Sequence, residues 1–342
     1  MCKEEQMSRA WKTTAAALGA ALVVAPQPAR SADISIVFAV PANTLTFTAV
    51  FVAQDAGFFA KEGLKVELRN LVGVASNNAV IAGSADFSTG TAATFLRAAA
   101  QGQRMFAIAN MVDKPLVELV LRKDVAAAAG ITDATPFVAR AKALKGKTIA
   151  IQGVGSIVHA LQRLVAYKGG LDPDKDVRIA PMNPPAMLPA LRNKDVDGFA
   201  TSLPFTTQAV LEGDAIMLVS AIAGDLPEYT PFSYLVLYTR PEVCRNERDK
   251  CARMGRAFKA AAQFIQQRPA DVLGFLKKRF NRLKPDLLAA SWEAVRKAHG
   301  TDVRISDPGF INAQKFSLDA GLLEPKLMLK DFKGLYTDEF VK

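Results

Sequence analysis

Nearly all-apolar stretches alternate along this chain with stretches whose apolar positions recur every three or four residues. Residues 33–40 (DISIVFAV) read as a buried strand, and residues 47–59 have helical periodicity closed by Gly63. Strands follow at 65–69, 85–88, 105–109 and 116–122, with helices at 77–82 and 91–100 ended by Gly83 and Gly102. A polar-alanine stretch at 126–135 interrupts the pattern, which then restarts. Residues 147–151 (KTIAI), 177–180, 197–200 and 215–219 read as strands, and 157–167 and 186–191 as helices. A further strand at 234–238 precedes helices at 254–267, 270–280 and 285–298. Strands alternating with helices predict the α/β class.

The two runs echo each other. Residues 79–86 (AVIAGSAD) align without a gap to 190–197 (ALRNKDVD). Each reads as helix, tight turn, aspartate, then a buried strand. The aspartate is expected to satisfy loop N–H groups. The small polar residues that follow fall at the carboxyl end of a strand, where open α/β sheets bind ligands.

Composition narrows the classes. Half of the 342 residues are hydrophobic and 22% are charged, which excludes a disordered chain. No apolar run reaches the roughly 18–20 residues of a membrane span. The net charge of +10 raises the question of nucleic acid. Only Lys277, Lys278, Arg279, Arg282 and Lys284 cluster, at a spacing that reads as a solvated helix end, so no nucleic-acid partner is expected. Lys3, Arg9 and Lys12 precede a short apolar stretch at 13–25. Pro26 and Pro28 break it, and small residues follow at 29–32, which is the pattern of an export signal over residues 1–31. Cleavage after Ser31 keeps Ala29 at −3; cleavage after Ala25 or Ala32 also fits. Removal of the signal leaves Cys244 and Cys251. An oxidising compartment permits a disulfide between them, with two free thiols as the alternative.

The candidate chemistry is that of binding. Gly153, Val154, Gly155 and Ser156 follow a strand and open a helix, without the further residues of a dinucleotide or P-loop fingerprint. A helix start still offers free N–H groups and partial positive charge to an anion or carbonyl. Thr89, Gly90 and Thr91 offer the same arrangement at what reads as the equivalent place in the first half. Asn43, Thr44 and Thr46 add uncharged hydrogen-bonding groups after the first strand. Pro204 and Phe205 end a second-half strand, and Phe232 lies at the return crossing, where aromatic rings serve a core or a ligand. His159 and His299 lack a nucleophilic partner and read as structural. No catalytic constellation, metal site or cofactor motif stands out.

Residues 52–67 (VAQDAGFFAKEGLKVE), 82–87 (AGSADF), 144–151 (LKGKTIAI), 168–173 (KGGLDP) and 193–198 (NKDVDG) occur in order along the chain. So does Arg240-Pro-Glu-Val, leading into a long helix. This series resembles the solute-binding proteins of the nitrate/sulfonate/taurine and thiamine-precursor type. The resemblance implies a type II periplasmic binding fold, with two α/β lobes joined by two crossovers around a ligand cleft. Residues 33–125 and 229–342, with the C-terminal helices, would form one lobe and 126–228 the other. It implies a monomer in the periplasm that binds a small solute and delivers it to an ABC permease and its ATPase at the inner membrane. By position, the cleft would receive Asn43, Thr44, Thr46, Thr89, Gly90, Thr91, Asn110, Gly153, Gly155, Ser156, Pro204, Phe205 and Phe232. The residues after the first strand depart from those of some relatives, which leaves the solute open. No arginine or lysine lies within these loops, so a carboxylate, sulfonate or neutral heterocycle is expected before a doubly charged ligand, unless Lys114 reaches the cleft. A sensor that presents solute to a membrane receptor shares this fold, and a periplasmic enzyme is a more distant alternative. A pyrimidine-making relative with a cysteine-rich motif is not matched, since no such cysteine run occurs here.

The export signal predicts that N-terminal sequencing of the periplasmic protein begins within residues 26–33. Recovery of intact Met1 throughout the folded pool contradicts it.

Overall fold

The computed structural model describes residues 33–132 and 134–342, so the expected export segment lies outside the described residues. β1 (Ile34–Val40) leads through a 3-10 turn at Leu45–Phe47 into α1 (Thr48–Asp55) and α2 (Phe58–Lys61). One helix was expected here. Gly57, in the left-handed region at φ 74°, divides it in two. The first run continues with β2 (Leu64–Asn70), α3 (Ala75–Ile81), β3 (Phe87–Thr91), α4 (Ala92–Ala100) and β4 (Phe106–Val112). The chain then passes to β5 (Glu118–Arg122), α5 (Lys123–Ala128), α6 (Phe137–Lys142), β6 (Thr148–Ile151) and α7 (Ile157–Lys168). β7 (Arg178–Pro181), α8 (Pro184–Arg192), β8 (Gly198–Thr201), α9 (Phe205–Leu211) and β9 (Ala215–Ser220) complete the second run. β10 (Leu235–Thr239) is followed by α10 (Pro241–Asn246), α11 (Arg248–Gln267), α12 (Pro269–Arg279), α13 (Pro285–Arg296) and α14 (Asp307–Asp319).

These strands form two five-stranded sheets of matching order, β2-β1-β3-β10-β4 and β7-β6-β8-β5-β9. In each, four strands run parallel to one another and a strand that follows a crossing inserts antiparallel between the third and the last in that order. The expected boundary near residue 125 is therefore displaced. β5 pairs with β8 and β9, so the chain leaves the first sheet between Val112 and Glu118. A reading by sequence proximity misassigns β5, which follows β4 in the chain but pairs in the second sheet.

The echo seen in the sequence is a structural repeat. Equivalent positions differ by 111 in number, as 37 and 148 or 86 and 197 do. Asp86 Oδ2 accepts from the Val37 N–H at 2.8 Å, and Asp197 Oδ2 accepts from the Thr148 N–H at 2.9 Å. The reverse backbone bonds, Asp86 N–H to Val37 O and Asp197 N–H to Thr148 O, are both 2.8 Å. Each carboxylate also faces a cation: Lys250 at 3.6 Å and Arg122 at 3.5 Å. The aspartates thus bond strand N–H groups rather than the loop groups expected. They start the third strand in register beside the first. The turn before each uses a left-handed residue, Gly83 in one half and Lys194 in the other, at φ 79° and 65°.

The C-terminal helices build on the first sheet. α11 packs against α1, α2 and β4, and α14 against α4. α11 begins before the expected Met254, so the Cys244–Cys251 disulfide ties α10 to the first turn of α11, with a Cα–Cα distance of 5.4 Å, rather than closing a loop. The outer edge of β4 is covered as well. Ala107 donates to Leu335 O at 2.8 Å and Asn110 to Val303 O at 2.8 Å, leaving little open edge for pairing with another chain.

Asp86→Ala and Asp197→Ala are each expected to cost about 1.5–3 kcal/mol, the usual worth of a hydrogen bond to a charged group. Urea unfolding checks this; unchanged midpoints for both variants contradict the role assigned to the pair.

Candidate functional site

The carboxyl ends of β1, β2 and β3 face those of β6 and β8. Between them lies a narrow cavity of about 460 Å³, open solvent at its mouth included. From the first half it is lined by Thr44, Thr46, Asn77, Gly90, Thr91 and Thr94, with Pro41 and Phe47 as apolar wall. Gln152, Ser156, Ile157 and Ser202 line it from the second half, and Tyr234 from the return crossing. No charged side chain is among the lining residues. Two direct links hold the halves together here. The Leu45 N–H donates to Leu203 O at 3.0 Å, and Arg97 Nη2 donates to the Gly155 carbonyl.

Two helices begin at the cavity. Thr91 is the N-cap of α4, its hydroxyl accepting from the Thr94 N–H at 3.3 Å. Ser156 is the N-cap of α7, accepting from the His159 N–H at 3.3 Å. Ser, Thr, Asp and Asn suit this position because a short side-chain oxygen reaches the third N–H of the helix. The remaining first-turn N–H groups have no helical partner and carry the positive end of the dipole. The caps are not topologically equivalent, contrary to the sequence expectation. α4 follows the third strand of its sheet, whereas α7 follows the first strand of the other. The repeat matches the Ser156 loop to residues after β1 and the Thr91 segment to residues after β8. Thr89 and Gly90 belong to β3 rather than to a loop.

The polar lining is held from behind. Tyr238 donates its hydroxyl proton to Asn77 Oδ1, which commits that oxygen and leaves the amide nitrogen as a donor. Gly90 makes room for this pair, since a Cβ there would lie 3.1 Å from Tyr238 Oη. Gln152 Nε2 donates to Thr201 Oγ1 at 3.1 Å, leaving its oxygen as an acceptor. Burial pushes the Tyr234 phenol well above its ordinary range, so it remains neutral. Thr44, only 1% exposed, has a hydroxyl without a protein partner, as does Thr89 deeper in β3.

The loop before α7 is fixed by its own residues. Ser156 Oγ donates to Gly153 O at 2.7 Å, and His159 Nδ1 accepts from the Gly155 N–H at 3.0 Å. An imidazole that accepts at Nδ1 carries its proton on Nε2. Burial, helped by Arg163 and Arg97 and opposed by Asp174, pushes the His159 pKa down to about 4. His299, buried beside β4, is likewise pushed down to about 4 by burial.

Of the residues expected at the site, Thr44, Thr46, Gly90, Thr91 and Ser156 line the one cavity, and Gly153 and Gly155 shape the loop leading to it. The others lie elsewhere. Asn43 lines a separate surface hollow with Val40, Ala42, Phe51 and Arg279. Asn110 donates to Asp113 Oδ1 at 2.6 Å at the end of β4. Pro204 is the N-cap of α9, and Phe205 packs into the second-half core around Met187 and Phe199. Phe232 packs its ring against Tyr234 and Phe316. Asn77, Thr94, Gln152, Ser202 and Tyr234 were not singled out as site residues from the sequence. Thr94 had a legible signal in its spacing of three from Thr91, which puts both on one helix face.

The chain has two histidines, which makes their titration readable by NMR. Both imidazoles are expected to stay neutral at pH 5.5 and to titrate near pH 4. Their unfolded-state pKa is about 6.5, so their contribution to stability is present above that pH and is lost as pH falls toward about 4. Titration of both near 6.5 contradicts the burial and the His159–Gly155 bond.

The comparisons with known proteins agree with this architecture. The YtlA protein of Bacillus subtilis (strain 168), named only as a candidate binding protein, is 23% identical over 276 residues, covering 75% of this chain and 74% of YtlA. A protein of Bordetella bronchiseptica RB50 superposes with a TM-score of 0.79 at 21% identity, over 90% of this chain and 95% of that one. The alkanesulfonate-binding protein SsuA of Xanthomonas axonopodis pv. citri, bound to MOPS, gives 0.68 at 18%, over 86% and 96%. The desulfurization enzyme DSZB gives 0.60 at 15%, over 90% and 97%. At such identities these likenesses show the fold, that of the periplasmic binding proteins. A family model described as NMT1/THI5 like matches residues 44–272, and the chain belongs to that family.

Proposed function

We propose that this protein is the periplasmic solute-binding component of an ABC importer. In this reading its two halves act as lobes that capture one small polar or anionic organic solute and deliver it to a membrane permease and its ATPase. The observation that carries the reading is the cavity itself. Helix starts from opposite sheets, α4 and α7, meet there among neutral hydrogen-bonding groups, beside a buried Thr44 hydroxyl without a protein partner. A sulfonate, a carboxylate or a polar heterocycle suits such a lining. The binding-protein relatives support the same class, and the disulfide accords with an exported protein.

The energetics suffice. A helix start contributes roughly 0.3–1 kcal/mol toward negative charge, up to about 2 when partly buried. Hydrogen bonds to a charged group add about 1.5–3 kcal/mol each. Four or five such contacts reach the roughly 8 kcal/mol of micromolar binding after ordering costs. Neither half surrounds the cavity alone, so binding is expected to close the lobes.

The test is mass spectrometry of small molecules released on denaturing the purified protein, followed by calorimetric titration of the solute identified. Thr91→Val and Ser156→Ala are each expected to weaken binding about tenfold or more, the loss of one hydrogen bond and one ordered helix start. Two variants as tight as the parent remove the helix starts from the site.

A further inference from the structure

Among the described residues, three arginine or lysine side chains are buried: Arg97, Arg163 and Lys250, at 9%, 7% and 8% exposure. Arg163 is paired with Asp174 and also donates to Ala320 O. Lys250 is paired with Glu247 and Asp86. Among the described residues, Arg97 has no carboxylate partner. Its Nη2 donates to the Gly155 carbonyl, and its Nη1 is buried without a hydrogen bond. Burial alone lowers its pKa to about 10, which leaves it a cation at neutral pH. A buried charge normally carries a counter-charge, because desolvation is costly when nothing offsets it.

The position of Arg97 gives this unpaired cation a meaning. Thr91, Thr94 and Arg97 recur every three residues on α4 and share a face. Thr91 and Thr94 line the cavity; Arg97, one turn further along α4, stands behind that lining and donates to Gly155 O in the loop that leads to Ser156. The cavity lining itself holds no carboxylate.

We propose that Arg97 is the charge-reading residue of the cleft, and that it selects solutes bearing one compact anionic group. This rests on the solute-binding reading and deepens it. The anion sits toward Thr94, Ser156 and the guanidinium, and an apolar body lies against Pro41, Phe47 and Tyr234. Arg97 reaches from α4 to the Gly155 carbonyl of the other half, so an anion beside it also strengthens the link between the halves. Cations are rejected by repulsion, and neutral solutes leave the guanidinium without a counter-charge.

The test is calorimetry with four probes of one shape, pentanesulfonate, pentanoate, pentanamide and pentylamine, on the parent, Arg97→Met and Arg97→Lys. The charge of any solute released from the denatured parent is determined alongside. The parent is expected to bind at least one anion tenfold or more tightly than the amide, or to release an anionic solute. Arg97→Met is expected to weaken the anion at least tenfold, to leave the amide within twofold, and to melt no lower than the parent in the absence of solute. Arg97→Lys keeps the preference for anions at reduced affinity, and carries the test if Arg97→Met does not fold. The proposal is overturned if the variants keep the parent's anion affinity, if the amide or amine binds as tightly, or if the released solute is neutral or cationic. It is overturned too if the solute-free melting temperature of both variants falls by more than about 5 °C, since that marks a structural role. If the parent binds no probe and releases no solute, the solute-binding reading itself fails, and this assignment with it.

Discussion

An α-helix cannot satisfy the N–H groups of its own first turn. Here that constraint is placed at the centre of the molecule twice. α4 and α7 come from different sheets, yet both begin at one narrow cavity, and their caps Thr91 and Ser156 stand among its lining residues. Each cap satisfies one N–H with its own hydroxyl, the Ala92 N–H of α4 is taken up by Tyr234 O at 3.2 Å, and the remaining first-turn N–H groups have no partner within their own helix. The sheets, crossings and C-terminal helices bring these two helix starts to the same place.

The repeat explains how the chain achieves this. Each half uses an aspartate to lock its third strand beside its first, through Asp86 on Val37 and Asp197 on Thr148. This fixes the carboxyl ends of the strands, and with them the loops from which the helices start. Because the halves face each other, the loop after β6 meets the start of α4, and the turn after β1 meets the loop after β8 through the Leu45–Leu203 bond. Non-equivalent loops of the repeat therefore become neighbours in space. The antiparallel strands β5 and β10 tie the arrangement together, since each follows a crossing and pairs inside the sheet it enters.

Much of this was legible in the sequence, and the part that was not has definite causes. The strands and helices follow from local periodicity, and the Ser156 and Thr91 caps from residue type next to a helix start. The membership of β5 did not follow, because pairing partners far apart in the chain leave no local signal. Asn43 and Thr44 look alike as loop residues, but the bends between β1 and the 3-10 turn send them to different hollows. Phe205 and Phe232 are core residues, as aromatic side chains more often are. Arg97 carries no sequence signal of the role proposed for it, because it lies inside a helix and only the structure shows that it has no carboxylate partner among the described residues. Gln152 and Asn77 owe their roles to partners across the sheet, Thr201 and Tyr238.

The central claim is that two helix starts in opposite halves serve one ligand together. Hydrogen exchange resolved to single amides, in the first turns of α4 and α7, tests it directly. The protein is measured with and without the solute it releases on denaturation. The account predicts that amide exchange in both first turns slows together, with the same dependence on solute concentration. Protection of one helix start alone, or of neither while the solute is bound, contradicts it.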